Sequence, residues 1–187
     1  IVPVNGKLSI NPAELTLTAG SEIFVYDGEE HSNKDVTPVG LVGSDAVKAE
    51  TKGTIKNVGK AKNEVGEVTF ISGKASDYKI NKVFGWLEVT KNDNIKITVT
   101  AASTEKTYDG TELIDKNANV TGEGIDVSLY KVEAEVEGSA THVGDEGINE
   151  VKKVKIFDAA GVDVTKNFNI VPVNGKLSIN PAELTLT

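Results

Sequence analysis

The chain begins and ends with the same eighteen residues. The sequence IVPVNGKLSINPAELTLT occupies residues 1–18 and returns without a change at residues 170–187. Chance does not produce an identity of this length, so the chain is expected to consist of repeated units. The repeat period, from residue 1 to residue 170, is 169 residues. This periodicity favours a tandem array over one large domain.

A second, weaker repetition divides the period. The tripeptide YDG at residues 26–28 returns at residues 108–110, and LTLTA at residues 15–19 matches ITVTA at residues 97–101. Later landmarks follow in the same order in both halves. The two halves are therefore predicted to be diverged copies of one domain.

The order of these landmarks sets the predicted boundaries. One small β-rich domain is predicted at residues 13–92 and a second at residues 93–181. Residues 1–12 are predicted to be the C-terminal hairpin of a preceding repeat, and residues 182–187 the first strand of a following one. The connections are short and two contain proline. Short, stiff connections predict an elongated rod.

The clearest local signal is a predicted hairpin over residues 168–180. Asn174 and Gly175 form the pair preferred in a two-residue type I′ turn, with alternating apolar residues on either side. The register set by this turn pairs Ile170 with Ile179. The residues that it places on one face are Phe168, Ile170, Leu177 and Ile179.

Other segments also predict strands. LTLT and IKITVT alternate apolar and polar residues with a period of two, as half-buried strands do. Residues 127–136 and 151–157 are predicted strands, and residues 45–50 a possible short helix. The fold class is therefore mostly β, and both a β-grasp-like core and an immunoglobulin-like sandwich suit these strands.

The charge balance excludes some classes of partner. Twenty lysines, no arginine and 28 acidic residues give a net charge of -8. An acidic surface repels phosphate backbones and anionic lipid headgroups, so neither nucleic acid nor a membrane surface is an expected partner. No apolar run approaches the roughly 18 residues of a membrane span, and no membrane insertion of these residues is expected.

Few residues could carry catalytic chemistry. The chain has no cysteine and two histidines, so nucleophile-base pairs are scarce. His142 precedes a Val-Gly pair shared by both copies and is predicted to lie in a turn. His31 lies among carboxylates and fits either a metal ligand or a polar turn, but the spacing matches no dedicated cation loop. We predict no enzymatic activity, catalytic residue, metal site or cofactor.

The motifs resemble a known family of repeats. KTYDG at residues 106–110 and the segment 169–181 are similar to YDG-type and MBG-type (β-grasp-like) tandem repeat domains of Gram-positive bacterial surface adhesins. The similarity covers both predicted domains and is strongest over residues 104–181. The first domain departs from it, with FGW at residues 84–86 in place of NGK. The resemblance implies an extracellular, cell-wall-anchored protein without enzymatic activity.

Proteins of this kind sometimes contain isopeptide crosslinks, which need a buried lysine beside a carboxylate or amide. Lys106 and Lys176 are the candidate donors. Both fall at polar or outward-facing positions of the predicted strands, so both are expected to be unlinked.

An aromatic cluster distinguishes the first domain. The predicted hairpin register, transferred to residues 80–89, places Phe84 at the tip and pairs Val83 with Trp86 on the outer face. Trp86 is the only tryptophan in the chain. Exposed aromatic side chains commonly anchor a protein or glycan partner, although Trp86 would also fit packing against a neighbouring domain or under a loop of its own domain. Val83, Phe84 and Trp86 are the candidate partner-binding residues.

Two functions fit these features. The first is a stalk, in which neighbouring repeats project a distal binding region from the cell wall. The second is a repeated binding module that engages a host surface glycoprotein, a glycan or an immunoglobulin through the aromatic cluster, with repetition adding avidity.

Overall fold

The computed structural model describes residues 6–145 and 147–185. The chain divides into two compact units, residues 1–90 and residues 91–187. Both are built mainly of strands, as the sequence predicts. The helical elements of the described residues are three single-turn 3-10 segments, Ala75–Asp77, Val127–Leu129 and Thr165–Asn167.

The absence of longer helices bears on the fold class. No α-helix occurs in the two described stretches of chain, although a β-grasp core would place one against its sheet. The several small sheets are consistent with a β-rich sandwich. In the same described residues, no helix has the length and apolar character needed to cross a membrane.

The described part of the first unit contains eight strands. These are β1 (Ala13–Ala19), β2 (Glu22–Val25), β3 (Val36–Val39), β4 (Ala46–Thr51), β5 (Gly59–Asn63), β6 (Val65–Ser72), β7 (Tyr78–Val83) and β8 (Gly85–Thr90). The sheet orders are β3-β1-β7, β2-β8-β5 and β4-β6. The alternation in β1 buries Leu15 and Leu17, which belong to one core cluster with Val65 and Tyr78.

The described part of the second unit contains seven strands. These are β9 (Lys96–Ala101), β10 (Thr104–Thr107), β11 (Ala118–Glu123), β12 (Lys131–Glu137), β13 (Gly147–Phe157), β14 (Asn169–Val173) and β15 (Gly175–Asn180). The sheet orders are β10-β15-β13-β12 and β11-β9-β14. Ile97, Val99, Ile156, Phe168 and Leu177 are almost completely buried.

The two units share one pairing pattern. β1 pairs with β3 antiparallel and with β7 parallel, and β9 pairs in the same way with β11 and β14. β8 lies between β2 and β5, just as β15 lies between β10 and β13. The long strand β13 takes the places of both β5 and β6, because its first part pairs with β15 and its remainder with β12.

The first segment of each unit, made of its first two strands, runs parallel to the last segment, made of its last two strands. Ala13 lies opposite Tyr78 and Val25 opposite Thr90, both 65 positions apart. In the second unit, residues paired between β9 and β14, and those paired between β10 and β15, are all 73 positions apart. Each unit therefore has two parallel segments that pass together from one sheet into another.

This arrangement contradicts the predicted hairpin over residues 168–180. β14 and β15 lie in different sheets and do not pair, so Ile170 lies opposite Ile97 and not opposite Ile179. A type I′ turn needs positive φ at both central residues, and neither Asn174 nor Gly175 has it. The chain continues forward at this point instead of reversing.

Two smaller predictions are also corrected. Residues 45–50 are not helical: residues 46–50 fall within β4, which pairs antiparallel with β6. The predicted strand over residues 127–136 begins with the 3-10 segment Val127–Leu129, and β12 starts only at Lys131. The predicted strand over residues 151–157 is confirmed as part of β13.

The two ends of the chain carry no strand where they are described. Residues 6–12 form none, and Leu8 and Ile10 are almost completely exposed. Residues 181–185 likewise form none. The remaining residues of the predicted terminal hairpin and terminal strand, 1–5 and 186–187, lie outside the described residues.

Candidate functional site

The outer face of the sheet β2-β8-β5 carries the candidate site in the first unit. Strand alternation sends Leu87 and Val89 of β8 into the core and leaves Trp86 about half exposed on the opposite face. Trp86 lies opposite Lys62 of β5, and the next outward residue, Glu88, lies between Lys60 of β5 and Ile23 of β2. We call this surface the outer face and define it by Ile23, Val25, Lys60, Lys62, Phe84, Trp86 and Glu88.

The aromatic residues of the outer face contact one another. The rings of Phe84 and Trp86 meet edge to face, with centroids 5.5 Å apart. The Lys62 ammonium lies 4.6 Å from the Phe84 ring centroid, within the range of a cation–π interaction. The Trp86 backbone N–H donates to the Ser21 hydroxyl at 2.9 Å, which anchors this strand to the chain just before β2. The two rings are therefore held in place while their outer surfaces stay accessible.

The structure places the three predicted residues as follows. Val83, Phe84 and Trp86 are 39%, 43% and 47% exposed. Val83 and Trp86 do not pair across a hairpin, because Val83 ends β7, opposite Thr18 of β1, in a different sheet.

Sequence reasoning missed two aliphatic members of the outer face. Ile23 and Val25 of β2 are 68% and 56% exposed. Ile23 is a diagonal neighbour of Trp86, a position within reach of an aromatic side chain. The sequence contained a signal that was missed. The first copy has these two aliphatic residues just before YDG, and the second copy has polar residues at the corresponding positions.

The same face of the second unit is largely polar. The shared pairing pattern matches Ile23 to Glu105, Val25 to Thr107, Trp86 to Lys176 and Glu88 to Ser178, with one apolar residue, Ile148, in place of Lys62. Both faces have the same backbone pairing, so the fold itself does not require apolar residues there. The apolar outer face is thus a specific property of the first unit.

The YDG turns have different internal contacts in the two units. In the first, the Asp27 carboxylate accepts the backbone N–H of Glu29 and lies 2.9 Å from Nε2 of His31. These two contacts, the first the stronger, lower the pKa of Asp27. The His31 ring also stacks on Phe24 with centroids 4.4 Å apart. His31 lies at the end of the turn predicted from the sequence, where its backbone forms an isolated antiparallel bridge with Ile55.

In the second unit a lysine takes over this role. Lys106 Nζ donates to the Asp109 carboxylate at 2.8 Å and to the backbone oxygen of Thr111 at 2.7 Å. The Lys106 contact and the N–H of Thr111 hold the pKa of Asp109 far below its usual range. Lys176, the other candidate for an isopeptide bond, is exposed.

The second histidine also lies in a turn. The backbone N–H of His142 donates to Asp145 at 2.7 Å, and its ring stacks on Tyr108 with centroids 5.9 Å apart. Within residues 6–145 and 147–185, no three His, Cys, Asp or Glu side chains are grouped so as to hold a metal ion.

Comparison with known proteins gives no family. No protein-family model and no curated protein matches the chain. Among solved structures, the fibronectin(III)-like modules of Clostridium thermocellum CbhA are similar at 15% identity and a TM-score of 0.24, covering 92% of this chain and 97% of that one.

Proposed function

We propose that the chain is a segment of a tandem-repeat stalk of a bacterial cell-surface adhesin, extracellular and anchored to the cell wall. The observation that carries this proposal is the parallel pairing of the first and last segments within each unit. The exact repeat of eighteen residues and the family resemblance support it further. The short junctions support an elongated arrangement of the repeats.

Parallel pairing makes the chain enter and leave a unit at opposite ends. In the first unit the chain enters at Ala13, beside Tyr78, and leaves at Thr90, beside Val25. The two segments run together for 13 residues, about 40 Å of extended chain. Each unit therefore adds length along the path of the polypeptide, as a spacer requires.

The same pairing suits a chain under tension. A pull on both ends slides the two parallel segments past each other, so their backbone hydrogen bonds are loaded together. A pull on the N-terminal ends of two neighbouring parallel strands would instead break their backbone hydrogen bonds one after another. Forced unfolding is governed by the unfolding barrier, so the first direction should withstand a larger force.

Single-molecule pulling tests this proposal directly. The cysteine-free chain accepts handles at Asn11→Cys with Asp93→Cys, which load the ends of the first unit, or at Asn11→Cys with Ser76→Cys, which peel β1 from β7. All three positions are exposed. We expect a several-fold higher unfolding force for the first pair. Equal forces in the two directions would remove the mechanical basis of the stalk.

A second function is supported by the apolar outer face of the first unit. We propose that this face binds a host surface glycoprotein, glycan or immunoglobulin. Its four apolar residues, Ile23, Val25, Phe84 and Trp86, are exposed, whereas unit two carries polar residues at the same sites. Aromatic anchors of this kind often dominate the energy of an interface.

Replacement of Trp86 by the residue of unit two tests this proposal. The full chain, Trp86→Lys and the matched control Lys176→Ala would be compared on an array of purified serum and matrix glycoproteins, mucin glycans and immunoglobulin G. We expect the wild type to bind, Trp86→Lys to bind about tenfold or more weakly, and the control to match the wild type. Equal binding by Trp86→Lys, or no binding by the wild type, would contradict the proposal.

A further inference from the structure

All but one of the edge strands carry features that discourage pairing with another strand. Proteins commonly prevent such pairing with charged residues or proline at an open edge. In the described part of the chain, every edge strand other than β2 contains a proline or has a charged residue on its exposed face. β2 has two apolar residues, Ile23 and Val25, on its exposed face. Its one charged residue, Glu22, lies on the opposite face, where its carboxylate accepts the Asn33 amide at 2.9 Å.

The free side of β2 carries backbone groups that no neighbouring strand uses. The Tyr26 N–H donates to the carbonyl oxygen of Thr90 at 2.9 Å, and the Phe24 carbonyl oxygen accepts from the Thr90 hydroxyl at 3.1 Å. The backbone groups of Phe24 and Tyr26 therefore face β8. Successive residues of a strand point these groups to opposite sides, so those of Ile23 and Val25 face away from β8. Among the described residues no strand pairs with β2 on that side, which leaves its N–H and C=O groups open to an added strand.

The surroundings of this edge indicate the chemistry of an added strand. The outer face continues from β2 to Trp86, a diagonal neighbour of Ile23, so apolar side chains at alternate positions of an added strand would find apolar contacts there. Beyond the end of β2, the YDG turn carries three exposed carboxylates, those of Asp27, Glu29 and Glu30. The added strand should accordingly have apolar residues at alternate positions and basic residues at the end that meets this turn.

We propose that the open edge of β2 binds an extended, basic segment of a partner polypeptide, which extends the three-stranded sheet β2-β8-β5 by one strand. This inference rests on the proposed binding role of the outer face and narrows it, because the ligand is an unfolded stretch of polypeptide and not a glycan. The backbone of the segment bonds to Ile23 and Val25, and its apolar side chains extend the outer face. The corresponding strand of the second unit, β10, has Glu105 and Thr107 at these positions, so its edge should not bind such a segment.

Hydrogen exchange of single amides, followed by NMR in the full chain, tests this proposal directly. The probe is a short peptide with blocked ends, in which two lysines precede alternating valine and threonine. We expect the Ile23 and Val25 amides to exchange about tenfold more slowly when about nine-tenths of the chain is bound, because the added strand accepts both N–H groups. The Glu105 and Thr107 amides face away from β15 in the same manner and should not change. Unchanged exchange at Ile23 and Val25, or no binding at about 1 mM peptide, would contradict strand addition.

Changes to the backbone separate strand addition from side-chain contact. Val25→Pro removes one outward-facing N–H and no bond to β8, and an edge strand tolerates proline at such a position. Peptide binding should weaken about tenfold or more in Val25→Pro and change little in Thr107→Pro, the matched substitution in β10. With the wild-type chain, N-methylation of the peptide at its valines and, separately, at its threonines should have unequal effects, since only one alternate set of N–H groups faces β2. Equal weakening by both methylations would mean that the peptide does not bind as a strand.

Two other results would assign this edge differently. Dimers of the wild-type chain in sedimentation velocity at about 100 μM, with Ile23 and Val25 already protected, would mean that a second copy occupies the edge. Binding to the glycoprotein array that is lost in Trp86→Lys but kept in Val25→Pro would uphold the proposed binding function and reject strand addition. Protection by the peptide without any binding to the array would reject the host ligand and uphold strand addition.

Discussion

Replacement of Gly175 by alanine is expected to destabilise the second unit by about 3 kcal/mol or more, as backbone overpacking does. A Cβ at this position would lie 2.1 Å from the carbonyl oxygen of Ala102 and 2.6 Å from that of Ala101. Ala101 ends the paired strand β9, and Ala102 is held by hydrogen bonds to Asn117 and Asn149, so these backbone atoms cannot move away cheaply. Gly175 lies where the two parallel segments pass from one sheet into the other, and this close approach requires a residue without a side chain.

The chain contains its own control for this substitution. Gly6 lies in the same Asn-Gly-Lys tripeptide, and a Cβ there would meet nothing within 4 Å. Gly6→Ala should therefore leave stability unchanged. Hydrogen exchange of the second unit in increasing urea would measure both variants. A Gly175→Ala unit as stable as the wild type would mean that the two segments do not approach as closely as described.

Gly175 also shows where sequence reasoning fails. Asn174-Gly175 has the composition of a hairpin turn, but the glycine is needed for close packing and not for positive φ. Apolar alternation on either side shows which residues face inward, and Leu177 and Ile179 are indeed buried. Alternation does not show which strand is the partner, because the same alternate residues face inward whether the strand pairs in parallel with a distant strand or antiparallel in a hairpin.

The remaining differences have similar causes. Residues 45–50, AVKAE preceded by Asp, suit a helix in isolation, but pairing of β4 with β6 outweighs this weak preference. The strands with strict alternation, such as β1 and β9, were predictable, since one of their faces is fully buried. Local patterns thus predicted strand faces well and long-range pairing poorly.

The candidate site was partly predictable. The exposure of Phe84 and Trp86 could be inferred from alternation alone. The contribution of Ile23 and Val25 depends on β2 lying beside β8, a parallel pairing between segments 65 positions apart. No local pattern contains that information. The edge-to-face contact of the two rings and the position of Lys62 over Phe84 likewise depend on side-chain geometry.

Two buried asparagines brace the same crossing point in the two units. Asn63 is completely buried, and its Nδ2 donates to the carbonyl oxygens of Gly20 at 3.0 Å and Asn33 at 2.9 Å. Asn149 is equally buried, and its Nδ2 donates to the backbone carbonyl oxygens of Ala102 at 2.9 Å and Asp115 at 2.8 Å. Both asparagines tie the link between the first two strands of the unit to the loop before the third.

The two asparagines differ in their acceptor atom. Oδ1 of Asn63 accepts the backbone N–H of Gly53 at 3.1 Å. Oδ1 of Asn149 has no hydrogen-bond partner among the residues that the structure describes. Either substitution leaves two backbone groups without a partner, because the Asn33 carbonyl still accepts from the Thr51 hydroxyl when Asn63 is replaced. A buried polar group that loses its partner costs about 1–3 kcal/mol.

Asn63→Ala is accordingly expected to destabilise the first unit by about 4 kcal/mol, and Asn149→Ala the second unit by about 2 kcal/mol, since the latter also removes an unpaired buried oxygen. Urea unfolding followed by hydrogen exchange would report each unit separately in the full chain. Each variant serves as the control for the other, because the unit that is not substituted should keep its wild-type protection. Equal losses in the two units would contradict the difference in acceptor pairing. A negligible loss for Asn63→Ala would show that the crossing of the parallel segments does not depend on this brace.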